Sequence, residues 1–384
     1  MKNTTIIRIT FFLFVFEMSI FSQTKIDINP NSIQEGKLSL SDMVESIEYI
    51  PLETNDDCLI GTVVHYIFSE KYLLIQEKSI CYLFSKSGRF ISKIGNIGGG
   101  PGEYFHASLF HIDKKNNNVI LYDSYKKLLL YYDMKGRFKK SIQFDGKKLF
   151  LSSRSNRFHN NHIIMKRAND GNIPYTYTVL DSKLNIITQQ IKPVKFTMQG
   201  ASFVGIGELF SEYVYNDQMH VRENLLNDTL FMINSDFSFI PKYIIDAGKR
   251  KLTVDIRSDA DIFMREATNR LVVSYIFETK ENLLISYSYQ GASYHGYFNK
   301  NDDKFMHFPS SVGIPNDYDG GPDFLPQYQN NKQFIAFYDA YLLKEHKGNI
   351  IKPKGSIYAI NYFNQMVHKL DPDDNPVMVI VNLK

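Results

Sequence analysis

The segments LFSKSGRFISKI (residues 83–94) and YYDMKGRFKKSI (residues 131–142) align without a gap, and they decide how the rest of the chain is interpreted. Their shared Gly-Arg-Phe starts at positions 88 and 136, so the two copies lie 48 residues apart. Each copy consists of an apolar strand, a tight polar turn with glycine, and a second alternating strand. Glycine supplies the positive φ that a short hairpin requires. The pair therefore predicts a repeated β-hairpin.

Weaker copies of this hairpin follow along the chain. A further step of 48 residues from Asp133 reaches Asp181, in a segment that keeps the apolar–Asp–polar–Lys pattern but has lost the Gly-Arg-Phe. Two more copies lie in residues 230–239 and 295–305. Another apolar run precedes each hairpin, such as residues 118–123. Four short strands within about 48 residues are typical of one propeller blade.

The length and the composition agree with an all-β protein. The chain has 29 Phe and 25 Tyr among 384 residues, and aromatic side chains favour strands. We predict a six-bladed β-propeller with four-stranded antiparallel blades over residues 41–384, since a blade takes roughly 50 residues. Seven more compact blades would also fit. A pair of stacked β-sandwiches is the competing fold, although a constant period argues against it.

The apolar segment at residues 376–381 predicts how the ring of blades closes. A free edge of this apolarity would aggregate, so we expect it to pair with a strand near residues 47–50, or with the leader before them, and complete a shared blade. The alternative is a local hairpin with residues 355–359.

The first 22 residues have the pattern of an export signal. Lys2 and Arg8 precede a short apolar run, and Ser22 supplies a small residue at a cleavage site. We predict a signal peptide at residues 1–22, an extended leader at 23–40, and a periplasmic or extracellular location. The first cysteine is Cys58, so no lipidation cysteine follows the apolar run, and no later segment is long enough for a transmembrane anchor.

Charge and cysteine content exclude several classes of protein. There are 44 basic and 41 acidic residues, so nothing indicates a nucleic-acid partner. Paired lysines such as Lys126-Lys127 and Lys139-Lys140 alternate with apolar residues and indicate solvated strand faces and protected edges. The two cysteines cannot form a disulfide scaffold. Whether Cys58 and Cys81 form a disulfide is left open by their spacing.

Several phrases of the sequence resemble a family of exported bacterial six-bladed β-propellers of largely uncharacterised function. They are IEYIPLET (47–54), CLIG (58–61), IGNIGGGPGEY (94–104), NDTLF (227–231), NDYDGGP (316–322) and NPVMVIV (375–381). The resemblance spans residues 40–384. It implies the propeller fold, and such relatives often accompany polysaccharide-uptake systems.

The glycine-rich segment at residues 98–104 is the most distinctive local feature. Pro101 lacks an amide donor and no helix start follows, so this is not a phosphate-binding loop. One interpretation is a turn that presents a ligand site, with Gly100, Pro101, Gly102, Glu103 and Tyr104 as its residues. The alternative is a blade-to-blade crossover whose glycines only permit unusual φ angles.

A second candidate is the acidic segment at residues 316–323. Asp317, Asp319 and Asp323 alternate with polar residues and glycines, and we take them as further ligand-binding candidates. Position 12 from Asp317 is Tyr328 instead of glutamate, so the EF-hand pattern fails. His159 and His162 form the one close histidine pair, without a metal motif around it. Residues 291–296 resemble a nucleophile elbow only superficially and predict a hairpin turn. We predict no metal site and no cofactor.

These observations favour an exported, non-catalytic binding protein. Its ligand would be a small molecule or glycan, because aromatic platforms stack on sugar faces, or it would bind a partner protein. Two alternatives stay open. One is a hydrolase or lyase that acts on glycans, with Glu103 and one aspartate of residues 317–323 as acid and base. The other is a structural scaffold for a partner protein.

Overall fold

The computed structural model describes residues 23–31, 33–113, 115–143, 156–159, 162–199, 209–308, 312–346 and 352–384. The predicted signal peptide lies outside the described residues. The chain begins with β1 (Thr24–Asp27), α1 (Leu40–Met43) and β2 (Val44–Pro51). The first antiparallel sheet contains β3 (Val63–Phe68), β4 (Tyr72–Glu77), β5 (Ile80–Ser85) and β6 (Phe90–Ile94).

Two further antiparallel sheets follow. A short parallel pair, β7 (Asn96–Ile97) and β8 (Glu103–Tyr104), leads into the next sheet. The second sheet contains β9 (Ala107–Asp113), β10 (Asn118–Asp123), β11 (Leu128–Asp133) and β12 (Phe138–Gln143). The third contains β13 (Asn156–His159), β14 (His162–Lys166), β15 (Tyr177–Leu180) and β16 (Ile186–Gln190).

The second half of the chain mixes strands with short helices. It continues with β17 (Phe210–Tyr215), β18 (Gln218–Glu223), β19 (Thr229–Ile233), β20 (Phe239–Asp246), α2 (Val254–Ser258) and α3 (Ala260–Glu266). The fourth separate sheet contains β21 (Val272–Glu278), β22 (Asn282–Tyr289), β23 (Ala292–Asn299) and β24 (Lys304–His307). The chain then forms β25 (Tyr328–Asn330), β26 (Gln333–Tyr338), α4 (Ala340–Glu345), α5 (Ile357–Lys369) and β27 (Val377–Leu383).

The remaining strands join into one sheet of nine, in the order β1-β20-β19-β18-β17-β25-β26-β27-β2. Two groups of four antiparallel strands, β17–β20 and β25-β26-β27-β2, meet through one parallel pair, Val214 with Asn330. Strand β1 adds to β20 in parallel. The protein is therefore mostly β, with four-stranded antiparallel sheets arranged as in a propeller. The predicted number of six blades is wrong, since the structure gives four separate blades. The reason is that β17 and β25 pair with each other, which merges the other strands into a continuous sheet.

The hairpins predicted from the repeat are equivalent in the structure. Gly88 lies in the turn between β5 and β6 and Gly136 in the turn between β11 and β12, with φ angles of +81° and +74°. In both turns the glycine amide donates to the residue three positions earlier, at 3.0 Å. The copy at Asp181 joins β15 to β16 in the same way, and Leu184 has the positive φ of 67°. The predicted equivalence of the two Gly-Arg-Phe hairpins is confirmed.

The predicted closure is also confirmed. β27 pairs antiparallel with β2 on one side, with Ile47 opposite Val381 and Ile50 opposite Met378. Its other side pairs with β26, so the apolar strand is fully enclosed. The alternative hairpin with residues 355–359 is wrong, because Ser356 caps α5 there. The large core beneath this closure collects residues from both ends of the chain, from Ile26 to Leu383.

Candidate functional site

The glycine-rich segment joins β6 to β9 and thus connects two neighbouring blades. Gly95 and Gly102 have φ angles of +61° and +74°, which a β-carbon would oppose. Tyr104 at its end is fully buried, and its hydroxyl donates to the Ile94 carbonyl at 2.9 Å. Burial raises the pKa of Tyr104 above its ordinary range. This geometry is the blade-to-blade crossover that the sequence left as an alternative.

The same segment forms one wall of an open groove of about 540 Å³. Lys126 fixes the segment by donating to the carbonyls of Glu103, at 2.8 Å, and Gly100, at 3.4 Å. The Glu103 carboxylate accepts the Gly100 amide at 2.7 Å. We call this cavity the loop groove; its lining is Gly99, Gly100, Pro101, Gly102, Glu103, Lys126, Leu128, Leu130, Phe138 and Ser141. Four of the predicted ligand residues therefore line a cavity, and the buried Tyr104 does not.

The acidic segment lies in the connection between β24 and β25, where it holds the N-terminal part of the fold. Asp317 accepts the hydroxyls of Ser39 and Ser41, each at 2.8 Å, and pairs with Lys354 at 2.6 Å. Burial alone would raise the pKa of Asp317, but the hydrogen bonds from Lys354, Ser41 and Ser39 outweigh it and lower the pKa to about 2. The carboxylate therefore stays charged and attaches α1 to this connection.

The other two aspartates make similar internal contacts. Asp319 accepts the Tyr49 hydroxyl at 2.8 Å, and Asp323 accepts the Asn316 amide at 3.1 Å. None of the hydrogen bonds in the described ranges joins these carboxylates to the loop groove. These carboxylates bind different parts of the fold, and a ligand role for any of them stays a prediction.

Other predicted features have simple structural explanations. Gln290 and Gly291 form the turn between β22 and β23, which confirms a hairpin there. Cys58 and Cys81 are both buried free thiols. In the part of the chain that the structure describes, no three His, Cys, Asp or Glu side chains are grouped as metal ligands would be. None of the described helices has the length and apolarity needed to cross a bilayer.

A second cavity, which the sequence did not indicate, lies where three strands turn. It has a volume of about 470 Å³ and is bounded by the turns after β17, β21 and β25, together with α1 and the end of β27. We call it the turn pocket. Its lining is Leu38, Asp42, Met43, Tyr215, Asn216, Thr279, Lys280, Glu281, Asn282, Lys332, Leu383 and Lys384.

Hydrogen bonds between turns hold the turn pocket in shape. The Asn331 side chain accepts the Asp217 amide at 2.7 Å and donates to the Asp217 carboxylate at 2.8 Å. The Asn331 amide donates to the Val214 carbonyl at 2.7 Å. Asn216, Asp217 and Asn331 all have positive φ, which Asn and Asp tolerate best after glycine. The turns after β17 and β25 are therefore fixed to each other.

Gln329 in β25 attaches the end of β21 to the two linked turns. It is fully buried, its amide oxygen accepts the Glu278 N–H at 2.7 Å, and its amide nitrogen donates to the Glu278 carbonyl at 2.5 Å. The end of β21 is thereby bound to β25 by two side-chain hydrogen bonds.

A buried charged cluster lies behind the pocket wall, with Glu278 at its centre. The carboxylate, 2% exposed, accepts Lys300 at 2.7 Å, Lys242 at 3.1 Å and the Tyr213 hydroxyl at 2.8 Å. Burial alone would raise the pKa of Glu278, but Lys300 and Lys242 outweigh it and the pKa lies below its ordinary value. Glu278 is therefore ionised at neutral pH and links the sheet of β21–β24 to β17 and β20.

His220 completes this cluster as a neutral ring. Burial and the nearby Lys242 lower the pKa of His220 to about 4. Its Nε2 lies 3.2 Å from the Lys242 ammonium, which must donate, and its ring stacks on Tyr213 with centroids 4.6 Å apart. The neutral ring thus accepts a hydrogen bond from Lys242 and adds no charge to the cluster.

Tyr215 connects the cluster to the pocket. Its ring lines the cavity, and the ammonium groups of Lys300 and Lys242 lie 5.4 and 6.0 Å from the ring centroid. These cation–π contacts hold the ring. The arrangement offers a ligand an aromatic surface in a positively charged setting.

Two solved structures are similar to this fold over most of the chain. The protein BF0058 of Bacteroides fragilis NCTC 9343, described as exported, shares 18% identity with a TM-score of 0.68 over 94% of this chain and 100% of its own. A member of the DUF4221 family from Bacteroides vulgatus shares 9% identity with a TM-score of 0.52, over 89% of this chain and 97% of its own. At these identities the likeness concerns the fold alone.

Sequence comparison places the chain in a family. No curated protein matches it. A family profile for a domain of unknown function, DUF4934, matches residues 23–382 and thus covers nearly the whole chain. The chain therefore belongs to the DUF4934 family.

Proposed function

We propose that this protein is an exported, non-catalytic binding protein that holds a saccharide with an acidic group in the turn pocket. The observation that carries the proposal is the cavity of about 470 Å³ between turns that are hydrogen-bonded to one another. Concave sites of this size are typical of small-ligand binding. Turns that are already fixed lose little entropy when a ligand binds.

The lining of the pocket suits both the apolar face of a sugar ring and its hydroxyl groups. Tyr215, Leu38, Met43 and Leu383 offer apolar contact area, and sugar rings stack on aromatic faces. Asn216 also lines the pocket. A side-chain amide can donate a hydrogen bond to a ligand hydroxyl and accept one from it.

The charges around the pocket favour an anionic ligand. Lys280, Lys332 and Lys384 line it, and Lys242 and Lys300 lie behind Tyr215. Among the described side chains that line the pocket or lie behind Tyr215, these five lysines face the three carboxylates of Asp42, Glu281 and Glu278. The whole chain is close to neutral, with a net charge of +3, so this excess is local. A carboxylate or sulfate on the sugar would complement it.

The catalytic alternative named Glu103 and one aspartate of residues 317–323, and none of these residues lines the turn pocket. Glycoside hydrolysis uses two carboxyl groups within about 10 Å of each other across the scissile bond. Glu103 accepts a hydrogen bond within the loop groove, while Asp317 and Asp319 hold α1 and β2. The exported location is supported by the signal pattern at residues 1–22 and by the similar fold of BF0058.

The test is a saccharide array followed by titration calorimetry. We expect binding to acidic oligosaccharides, and a loss of affinity of at least about tenfold in Tyr215→Ala and in the double variant Lys280→Met/Lys332→Met. Tyr358→Ala and Lys183→Met, at exposed positions elsewhere, are the matched controls and should bind normally. Cleavage of any bound saccharide, or binding that the pocket variants do not alter, would contradict the proposal.

A further inference from the structure

The segment from residue 124 to 143 carries basic side chains at both ends of β11 and along β12. It contains six basic residues, Lys126, Lys127, Lys135, Arg137, Lys139 and Lys140, and one acidic residue, Asp133. Arg137 already pairs with Asp133 at 2.7 Å, so the acid adds no free negative charge. We call residues 124–143 the basic edge, since it includes the outermost strand of its sheet.

Strand β12 is the open border of this surface. Among the described strands it pairs with β11 alone, and all six of its residues are exposed. Every second backbone N–H and C=O of such a strand points outward and can accept another strand. The outer strand β20 differs, because β1 covers it in the described part of the chain.

Apolar side chains accompany the free backbone groups. Phe138 is 40% exposed and Ile142 is 42% exposed, both on β12. Phe138 also lines the loop groove, beside Leu128 and Leu130. The border therefore combines backbone hydrogen-bonding groups, apolar contacts and a cavity next to the strand.

We propose that the basic edge binds an extended, acidic segment of a partner protein, which adds a strand to β12 and inserts an apolar side chain into the loop groove. Strand addition takes its affinity from main-chain hydrogen bonds and its specificity from pockets for alternate side chains. Lysines on an edge normally prevent pairing with other strands, and they admit a strand that carries the opposite charge. The lysines thus select the partner.

A peptide strand fits this surface better than nucleic acid or an anionic membrane does. Both of those would use the positive charge, but neither would use the outward N–H and C=O groups of β12. Nucleic acids bind through phosphate contacts and stacked aromatic rings, and an interfacial membrane site needs a broad apolar face. The basic edge instead has a linear array of backbone groups.

The test uses labelled ten-residue peptides and fluorescence anisotropy with the full protein. The probe alternates Glu with Val and Ile, one control peptide has Lys in place of Glu, and another keeps the charge but contains prolines that cannot pair as a strand. We expect only the first peptide to bind, and binding to weaken at least about tenfold in Lys139→Glu/Lys140→Glu. Lys183→Glu, on the exposed turn between β15 and β16, is the matched control.

Hydrogen exchange provides a readout that does not depend on the variants. Bound peptide should slow the exchange of amides in residues 138–143. The proposal is overturned if the proline peptide binds equally well, if no peptide binds at millimolar concentration, or if exchange slows elsewhere only. It is also overturned if a single-stranded oligonucleotide or an anionic vesicle binds more tightly than the acidic peptide and loses affinity in the double variant.

Discussion

Replacing Glu278 by glutamine tests how the blades beside the turn pocket are held together. The substitution keeps the shape of the side chain but removes the charge that Lys242 and Lys300 share. Breaking a buried ion pair by removing one partner costs about 3–5 kcal/mol. Lys242 is 30% exposed and Lys300 is 19% exposed, so both can recover some hydration. We therefore expect a loss near the lower limit, about 3 kcal/mol.

Thermal unfolding gives the assay. The entropy of unfolding is about 2.1 cal/mol/K per residue, so for a folded chain of roughly 360 residues 1 kcal/mol corresponds to about 1.3 °C. Glu278→Gln should lower the melting temperature by about 4 °C at pH 7. Glu281→Gln, an exposed change three positions further along, is the matched control and should shift it by less than about 1 °C.

A second variant separates charge from shape. In Glu278→Gln/Lys242→Met one of the two unpaired lysines is gone, so part of the lost stability should return. If Glu278→Gln melts like the unaltered protein, or if the double variant is less stable than the sum of the two single changes, the cluster does not act as an ion-pair network.

Three further predictions concern other parts of the chain. Gly102→Ala should destabilise by about 1–3 kcal/mol in denaturant unfolding, because φ is +74° and a β-carbon would lie 2.5 Å from Phe138 Cγ. Gly99→Ala should be neutral, because a β-carbon there meets only Phe105 Cζ, at 3.9 Å. Burial and Lys242 keep the pKa of His220 at about 4, so the unfolded state takes up a proton first as the pH falls, and the free energy of unfolding decreases from pH 6.5 towards pH 4. His220→Gln should flatten the plot of the free energy of unfolding in urea against pH over this range, and an unchanged slope would refute this. Asp317→Asn should lower the free energy of unfolding by about 2 kcal/mol at pH 7. The lowered pKa of this carboxyl stabilises the folded state at pH values above the unfolded-state pKa near 4, and the effect is lost as the pH falls to about 2. A variant with the same melting temperature as the unaltered protein at pH 7 would contradict this.

The repeat in the sequence predicted the local hairpins well, because the turn chemistry is local. The turn needs a positive φ at the residue whose amide donates to the carbonyl three positions earlier, and glycine fills this position at Gly88 and Gly136. Leu184 and Phe237 adopt the same φ range without glycine, so the later copies have weaker sequence signals. The number of separate blades depends on whether β17 and β25 pair across the fold, which no local pattern records.

The candidate site was harder to predict for a related reason. The turn pocket gathers residues from position 38 to position 384, and each is an ordinary turn or strand-end residue in sequence. The available signal for the neighbouring charged cluster was Lys242 in β20 and Glu278 in β21, since buried charges are costly unless they pair. The aspartates at 317 and 319 looked like ligands because structural hydrogen bonding and ligand binding both use clustered carboxylates.

Hydrogen exchange with and without an acidic oligosaccharide tests directly whether the turn pocket binds the ligand. The ligand should slow the exchange of amides in the turns at residues 216–217, 279–282 and 331–332, and Tyr215→Ala should abolish this protection. Protection confined to the loop groove or to α4 and α5, with these three turns unchanged, would show that the turn pocket is not the ligand site.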